Sequence, residues 1–329
     1  MIRVGIIGYG YWGKNIVRNF SSTDGIEVVS ICDIREEARL RAQKEYPRIA
    51  RTSDINDIIS LREIDAVAVI TPLSSHFELA KQALKNGKHV FVEKPFTSTS
   101  DEAEELIELA EKNKLIIMVD HTFLFTGAVR KIKELVQEKS LGDRYYYDSV
   151  RVNLGLFQRD VNVIWDLAPH DLAVMDYLFD ENPLAVSACG KAHINHQEDT
   201  AYVTVTFRNN FIAHFNVNWL SPVKVRTTLI SGSKKMLIWN DLEADEKIKI
   251  YDRGVEKSDY SLLVNYRAGD MYSPRIEQGE ALKTEIEYFI ECINENMAPI
   301  NDGMSGLRIV RMLEASSESL KQKGKEIML

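Results

Sequence analysis

The sequence predicts an α/β protein: an N-terminal doubly wound parallel sheet, followed by a C-terminal α+β domain with a large open, mostly antiparallel sheet. Up to residue 122, short apolar runs of strand formers alternate with helical patterns, which is typical of a parallel sheet. From residue 184 onward, strand-forming runs follow one another without helices between them, which is typical of an antiparallel sheet. We therefore predict two domains, 1–122 and 123–329.

Composition and charge exclude several classes of function. The net charge is −8 and no basic run occurs, so we do not expect a surface for nucleic acid. The three cysteines lie far apart, with neither C-x-x-C spacing nor a disulfide pattern, which indicates a reducing, cytoplasmic compartment. No apolar segment reaches the roughly 20 residues that a membrane span needs. We therefore expect no membrane partner.

The first predicted strand, residues 2–7, leads into a G-x-G-x-x-G turn and a helix over residues 14–20. Each glycine has a physical task. The first allows a tight turn, the second lets a pyrophosphate approach the backbone, and the third lets the helix pack close to the strand. The phosphates would face free N–H groups at the start of the helix. The residues of this candidate cofactor turn are Gly8, Tyr9, Gly10, Tyr11, Trp12 and Gly13.

The second predicted strand, residues 26–32, ends in an acidic residue, Asp33. A carboxylate about 20 residues beyond the glycine turn can accept hydrogen bonds from the adenosine ribose, and it would repel a 2′-phosphate. Asp33 therefore favours NAD over NADP. Arg35 leaves NADP open, because an arginine there could meet a 2′-phosphate. We expect Asp33, Ile34 and Arg35 to border the ribose.

Two more apolar strands, residues 66–70 and 90–93, end in polar residues. The carboxyl ends of parallel strands lie at one edge of the sheet, where such sheets bind ligands. A helix follows, opened by a capping-box pattern at Thr99 and Glu102. These features together predict a Rossmann dinucleotide-binding domain. The residues that we expect at its crevice are Thr71, Pro72, His76, Glu93 and Lys94.

The second domain contains a candidate acid/base pair, Asp166 and His170, in the segment 162–171. The two residues are four apart, so they share a face if the segment is helical. Histidine is well suited to exchange a proton near neutral pH, and a neighbouring carboxylate orients the ring and raises its basicity. A metal site would need a third ligand that the sequence does not offer, so we expect no metal.

These motifs together resemble the Gfo/Idh/MocA oxidoreductases. The resemblance covers the whole chain and rests on G-x-G-x-x-G, Asp33, T-P-x-x-x-H at 71–76, E-K-P at 93–95 and D-x-x-x-H at 166–170. It implies hydride transfer between NAD(P) and a secondary hydroxyl. Lys94 would contact both the nicotinamide end and the substrate, with a cis bond to Pro95, while Asp166 orients His170 as acid/base. It also implies a homodimer or homotetramer formed through the C-terminal sheet. The chain departs from many members at residues 121–125, which replace an Asn-x-Arg-Phe-like segment.

The segment from Arg151 to His170 resembles members that act in nucleotide-sugar metabolism, often at C3 of an amino sugar. The substrate-binding residues that this implies are Lys94, Arg151, Phe157, Asn162, Trp165 and His170. A substrate diphosphate needs cationic partners, and a base can stack on an aromatic ring. The candidates are Arg151, Arg159, Arg267 and Arg275 for the diphosphate, and Tyr266 or Tyr272 for the base.

Three alternatives stay open from the sequence. Lys94 beside a bound cofactor could itself be the base in place of His170, because its charged form would be disfavoured there. The substrate could also be a free polyol or sugar, such as inositol or glucose. A sensor that binds the dinucleotide without catalysis is a further alternative, but it has no need of Lys94, Asp166 and His170 together.

Overall fold

The computed structural model describes residues 1–155, 157–158, 160–179, 181–257 and 264–329 of the chain. The chain divides into two compact units. The first comprises Met1–Phe125 and Gly279–Arg311, and the second comprises Thr126–Gln278 and Met312–Leu329. Within the described residues, no helix is both long and apolar enough to cross a membrane.

The first unit is built on a six-stranded sheet in the order β3-β2-β1-β4-β5-β6. All its pairings are parallel, which confirms the predicted doubly wound sheet. The order reverses at β1, between β2 and β4, and a crevice for ligands lies at such a switch point. The strands are Ile2–Ile7 (β1), Ile26–Cys32 (β2), Ala50–Thr52 (β3), Ala66–Val69 (β4), His89–Glu93 (β5) and Ile117–Asp120 (β6).

Helices connect these strands, as the sequence pattern predicts. The helix after β5 begins at the predicted capping box: Thr99 Oγ1 accepts the N–H of Glu102 at 3.2 Å, and Glu102 accepts the N–H of Ser98 at 3.0 Å. The helices are Gly13–Ser22 (α1), Glu36–Glu45 (α2), Asn56–Ile59 (α3), His76–Lys85 (α4) and Ser100–Asn113 (α5), with short 3₁₀ turns at Leu73–Ser75 and Thr122–Phe125.

The second unit has, within the described residues, a nine-stranded sheet in the order β14-β13-β12-β11-β7-β10-β9-β8-β15. The pairing of β7 with β10 is parallel and the others are antiparallel, which confirms the predicted, mostly antiparallel sheet. The strands are Arg144–Leu154 (β7), Ala185–Lys191 (β8), Thr200–Thr206 (β9), Ile212–Asn218 (β10), Leu220–Gly232 (β11), Met236–Asn240 (β12), Ile248–Lys257 (β13), Val264–Tyr272 (β14) and Ile327–Met328 (β15).

Helices Gly127–Gln137 (α6) and Val163–Leu178 (α7) belong to this unit, and α7 packs on β7, β9 and β10. Burial alternates along the strands, as expected where one face is packed and the other is open. On β10, Phe215 is fully buried, whereas the neighbouring His214 side chain is 41% exposed.

Two helices lie between β14 and β15, Ala281–Glu295 (α8) and Gly303–Lys321 (α9). Our predicted second domain included everything after residue 122, but Gly279–Arg311 belongs to the first compact unit. The reason is apolar packing. The Phe289 ring of α8 lies 6.5 Å from that of Phe20 and 5.6 Å from that of Phe91, all three fully buried. An amphipathic helix pattern does not reveal which sheet its apolar face will cover.

Candidate active site

The turn after β1 requires glycine at two positions. Gly8 has a φ of +103°, and a Cβ there would lie 2.1 Å from the carbonyl oxygen of Ile70. A Cβ on Gly13 would lie 2.5 Å from the carbonyl oxygen of Gly8, because α1 starts directly against the turn. Among the described residues, a Cβ on Gly10 would meet only the Arg35 guanidinium, at 3.6 Å. The backbone of Gly10 is therefore accessible to a ligand at the start of α1.

A cavity of about 600 Å³ adjoins this turn within the first unit. Open backbone at a helix N-terminus suits a pyrophosphate, so the cavity fits the phosphate portion of a dinucleotide. The predicted cofactor residues that line it are Gly8, Gly10, Tyr11, Trp12, Gly13, Asp33, Ile34, Arg35, Thr71, Pro72 and Glu93. The lining residues that were not predicted are Ile7, Cys32, Ile55, Ile70, Ser75 and Leu79. Most of these are apolar, and an apolar residue gives no sign in sequence that it borders a cavity.

Asp33 lies beside the cavity as a buried carboxylate, with its side chain 4% exposed. It accepts the backbone N–H of Tyr9 at 2.9 Å, the backbone N–H of Arg35 at 2.9 Å, and the Arg35 guanidinium at 2.8 Å. Burial alone would raise the pKa of Asp33, but the hydrogen bonds from Arg35 and Tyr9 outweigh it and hold the pKa below its ordinary value. Asp33 is therefore an anionic acceptor at neutral pH.

Three predicted cofactor residues are not among those that line this cavity. The Tyr9 side chain is fully buried in the core, where its hydroxyl donates to Glu45 at 2.6 Å. His76 is 1% exposed, and its ring nitrogens lie 2.9 Å from the Pro95 carbonyl oxygen and 2.8 Å from that of Thr71. His76 therefore joins two loops of the site. Lys94 follows the lining residue Glu93, and its bond to Pro95 is cis, as the resemblance implied.

The segment after β6, where the chain departs from many family members, begins with His121. This side chain is 2% exposed. The pKa of His121 is lowered to about 4, chiefly by burial; the charge of Asp120 opposes this shift and the positive charge of Lys94 adds to it. A neutral imidazole near Lys94 therefore takes the place of the expected segment.

In the second unit, the segment with Asp166 and His170 is helical, so the two residues share a face of α7. Trp219 was not predicted as a site residue, and its indole N–H donates to Asp166 at 3.0 Å. Trp219 is 1% exposed and follows β10. Its indole therefore fixes the Asp166 carboxylate. A tryptophan at the end of a strand carries no sequence signal for its partner, because that partner lies on an element distant along the chain.

The predicted substrate residues near α7 have structural partners. Asn162 caps the helix, since its amide oxygen accepts the N–H groups of Ile164 and Trp165 at 3.1 and 3.2 Å. The Trp165 indole donates to Ser317 at 2.8 Å. The ring of Phe157 lies 5.3 Å from that of Trp219, which puts Phe157 beside the partner of Asp166.

Arg151 does not have the setting that the sequence analysis assigned to it. Its guanidinium is 5% exposed and binds both carboxylate oxygens of Asp171, at 2.7 and 2.9 Å. This buried pair does not support a contact with a substrate diphosphate. Of the other cationic candidates, Arg267 pairs with Asp252 at 3.2 Å, Arg275 is exposed, and Arg159 lies outside the described residues. Tyr266 and Tyr272 are 85% and 42% exposed.

The sequence profile described as "Oxidoreductase family, NAD-binding Rossmann fold" matches residues 2–121, and that of the "GFO/IDH/MocA C-terminal domain" matches residues 129–238. The chain belongs to the Gfo/Idh/MocA oxidoreductase family. This confirms the resemblance stated above. It makes the protein an NAD(P)-dependent dehydrogenase with an NAD-binding Rossmann domain over residues 2–121.

Relatives within the Gfo/Idh/MocA family act on different substrates. The UDP-N-acetylglucosamine 3-dehydrogenase of Acidithiobacillus ferrooxidans is 27% identical over 94% of both chains, and its solved structure superposes with a TM-score of 0.82 over 98% of both chains. The myo-inositol 2-dehydrogenase of Thermotoga maritima is 25% identical over 98% of this chain and 97% of its own. The structure of GenD2 from gentamicin A biosynthesis was solved in complex with NAD. It superposes with a TM-score of 0.84 over 100% of this chain and 96% of its own. At 16% identity, this similarity shows the shared fold.

Proposed function

We propose that this dehydrogenase transfers a hydride between NAD and the C3 hydroxyl of a nucleotide-linked amino sugar. The observation that carries the proposal is the similarity to a UDP-N-acetylglucosamine 3-dehydrogenase over 94% of both chains. Motifs alone would not separate this substrate from a free polyol. The resemblance of the segment from Arg151 to His170 to nucleotide-sugar enzymes supports the same substrate class.

Each candidate residue has a role in this proposal. NAD supplies a nicotinamide ring that accepts or returns the hydride. The turn from Gly8 to Gly13 binds the pyrophosphate at the start of α1, and Asp33 accepts hydrogen bonds from the ribose. Preference for NAD over NADP follows from the charge that Asp33 keeps at neutral pH.

On the substrate side, Lys94 hydrogen-bonds the reacting oxygen and stabilises the negative charge that develops there. His170 exchanges the hydroxyl proton, and Asp166 orients the imidazole while Trp219 holds Asp166. In the alternative assignment Lys94 removes the proton itself.

A free polyol is the second candidate substrate. The similarity to a myo-inositol 2-dehydrogenase over almost the whole chain favours it. The burial of Arg151 against Asp171 also removes one of the predicted partners of a diphosphate.

We also propose a cellular location and a binding partner for the enzyme. We place it in the cytoplasm, because Cys32, Cys189 and Cys292 are free thiols in the described structure. The partner that we propose is a second copy of the chain, bound through the open face of the C-terminal sheet as a dimer or tetramer. The proposed function involves neither a membrane nor a nucleic acid.

The test is a substrate panel followed by near-ultraviolet absorbance of NADH. Purified protein is mixed with NAD or NADP and UDP-sugars, dTDP-sugars, inositol or glucose. We expect NADH with a UDP-linked amino sugar and none with the free sugars. Reduction with inositol alone would move the assignment to the polyol. If no oxidation occurs, NADH consumption with the corresponding keto sugars tests the reverse direction, and silence in both directions contradicts a dehydrogenase of these substrates.

Two variants test the assigned residues. Lys94→Ala and His170→Ala should each lower turnover by about 10² to 10⁴, as removal of an acid/base or a charge-stabilising group does, while NADH still binds. Matched controls are the exposed residues Lys85→Ala and His196→Ala, which should keep full turnover. Near-normal turnover in Lys94→Ala or His170→Ala removes that residue from the mechanism.

A further inference from the structure

Two carboxyl groups of the first unit are buried together at the carboxyl end of β6. Asp120 is 2% exposed and ends the strand, while Glu285 is 0% exposed and comes from α8. Two ionised carboxylates in such a setting repel one another and lose their hydration, so one of them holds a proton. Neither residue has a role in the catalysis or the cofactor binding proposed above.

The hydrogen bonds show which carboxyl group is protonated. Asp120 accepts the indole N–H of Trp12 at 2.9 Å and the hydroxyl of Thr122 at 2.5 Å, and both stabilise a carboxylate. Glu285 Oε1 accepts the amide of Asn301 at 2.9 Å, whereas Oε2 has no conventional donor among the described residues. A proton on Glu285 that is donated to Asp120 satisfies both groups. Burial, followed by the charge of Asp120 and the hydrogen bond to it, raises the pKa of Glu285 well above its ordinary value.

The pair is connected to the cofactor turn through Trp12. This residue stands between Gly10 and Gly13 and lines the same cavity. Glu280, the residue that precedes α8, also accepts from Arg18 at 3.0 Å and from Asn19 at 2.9 Å, and both donors lie on α1. The start of α8 is therefore hydrogen-bonded to the helix that follows the turn.

We propose that Glu285 is a positioning residue for NAD. Its carboxylic acid donates to Asp120, Asp120 holds the indole of Trp12, and Trp12 keeps the glycine turn in the geometry that accepts the pyrophosphate. The inference rests on NAD binding by this family and is independent of the proposed sugar substrate.

A dependence on pH follows from the shared proton. The groups around Glu285 are the carboxylates of Asp120 on β6 and Glu93 on β5, with the neutral Asn301 and Thr122. Lys94 and His121 are their chain neighbours. Loss of the Glu285 proton adds a negative charge beside two others and removes the donor to Asp120. Affinity for NADH should therefore fall as the pH rises above neutrality.

The experiment measures the Kd of NADH without sugar from neutral to alkaline pH. In Glu285→Gln the amide N–H replaces the carboxylic acid as donor, so the Kd near neutrality should stay within about threefold and its alkaline rise should disappear. In Glu285→Leu the donor is lost, so the Kd near neutrality should be roughly tenfold or more above that of the wild type, and the alkaline rise should be absent. Glu291→Gln, an exposed residue of the same helix, is the matched control.

Two further measurements separate positioning from stability. Thermal unfolding of each variant shows whether a change in Kd merely follows a loss of fold. Trp12→Phe removes the donor to Asp120, so adding Glu285→Leu to it should raise the Kd much less than Glu285→Leu does alone. Parallel pH profiles for the wild type and Glu285→Gln, or independent effects of the two substitutions, would overturn the proposal. Neither outcome depends on which sugar the enzyme uses.

Discussion

Among individual residues, His121 has the clearest consequence for the dependence of stability on pH. Its pKa is lowered from 6.5 to about 4 in the folded chain, chiefly by burial. Between these values the unfolded chain binds a proton that the folded chain excludes. The contribution of neutral His121 to the free energy of unfolding is therefore fully present above pH 6.5, and it is lost as the pH falls toward about 4. A shift of this size corresponds to roughly 3 kcal/mol.

The measurement is urea unfolding of the protein without cofactor at several pH values between neutrality and about pH 4.5, within the window of the shift. His121→Gln cannot take up this proton, so its free energy of unfolding should fall less with acid than that of the wild type. His76 is also buried and its pKa is lowered, so part of the acid loss should remain. The exposed His196→Gln is the control, and equal slopes for His121→Gln and the wild type would contradict the prediction.

The residues of the site differ in how far sequence predicts them. Glycines with a steric task and an acidic residue at the end of a strand follow from local geometry, so Gly8, Gly13 and Asp33 could be placed in advance. Trp219 and Glu285 could not, because each acts through a partner far away in the chain. The charge of Arg151 suggested a ligand, but a charge in sequence does not show whether a buried carboxylate already neutralises it.

At the scale of the element, the turn from β1 to α1 allows steric and functional effects to be separated. Gly8→Ala should lower both stability and NADH affinity, because its Cβ would meet the Ile70 carbonyl at 2.1 Å and its φ is +103°. Gly10→Ala has room for its Cβ, with the nearest atom at 3.6 Å. It should keep its stability but weaken NADH binding by roughly tenfold or more, because the methyl group stands where the pyrophosphate approaches the backbone.

Thermal unfolding and NADH titration of the two variants provide the test. Gly25→Ala is the control for backbone strain, since Gly25 has a φ of +83° and no atom of the described residues lies within 4 Å of its Cβ position. It should lose some stability and no affinity. Unchanged NADH binding by Gly10→Ala would show that the pyrophosphate does not lie over this glycine.

Most elements follow from apolar periodicity, and those that do not have a physical reason. Strands β1 and β2 have the predicted bounds, because a buried parallel strand is apolar along its whole length. Strand β14 was not predicted. Its strand-forming residues are interrupted by Asn265, Arg267 and Asp270, which are not typical of strands. It lies at the edge of its sheet, where alternation is weak because little of it is buried.

At the scale of the whole molecule, the open face of the C-terminal sheet is the surface for which a second copy is proposed. On strands β9 and β10 it carries Tyr202 and Ile212, which are 42% and 43% exposed. Tyr202 is stacked on His214 at 6.2 Å, and His214 pairs with Asp148 at 3.1 Å. Apolar and aromatic groups on the central strands of a sheet suit burial against the same face of another copy.

Ile212→Lys combined with Tyr202→Lys should therefore dissociate the proposed oligomer. Burying two ammonium groups of like charge without a partner costs several kcal/mol, which would raise the dissociation constant by roughly 100-fold or more. Sedimentation velocity of the double variant should show the mass of a single chain, while thermal unfolding shows that the chain still folds. Ile194→Lys is the matched control, since Ile194 is 67% exposed but lies in the loop between β8 and β9. If the double variant keeps the mass of the wild type, the copies meet through another surface or the wild type is itself a monomer.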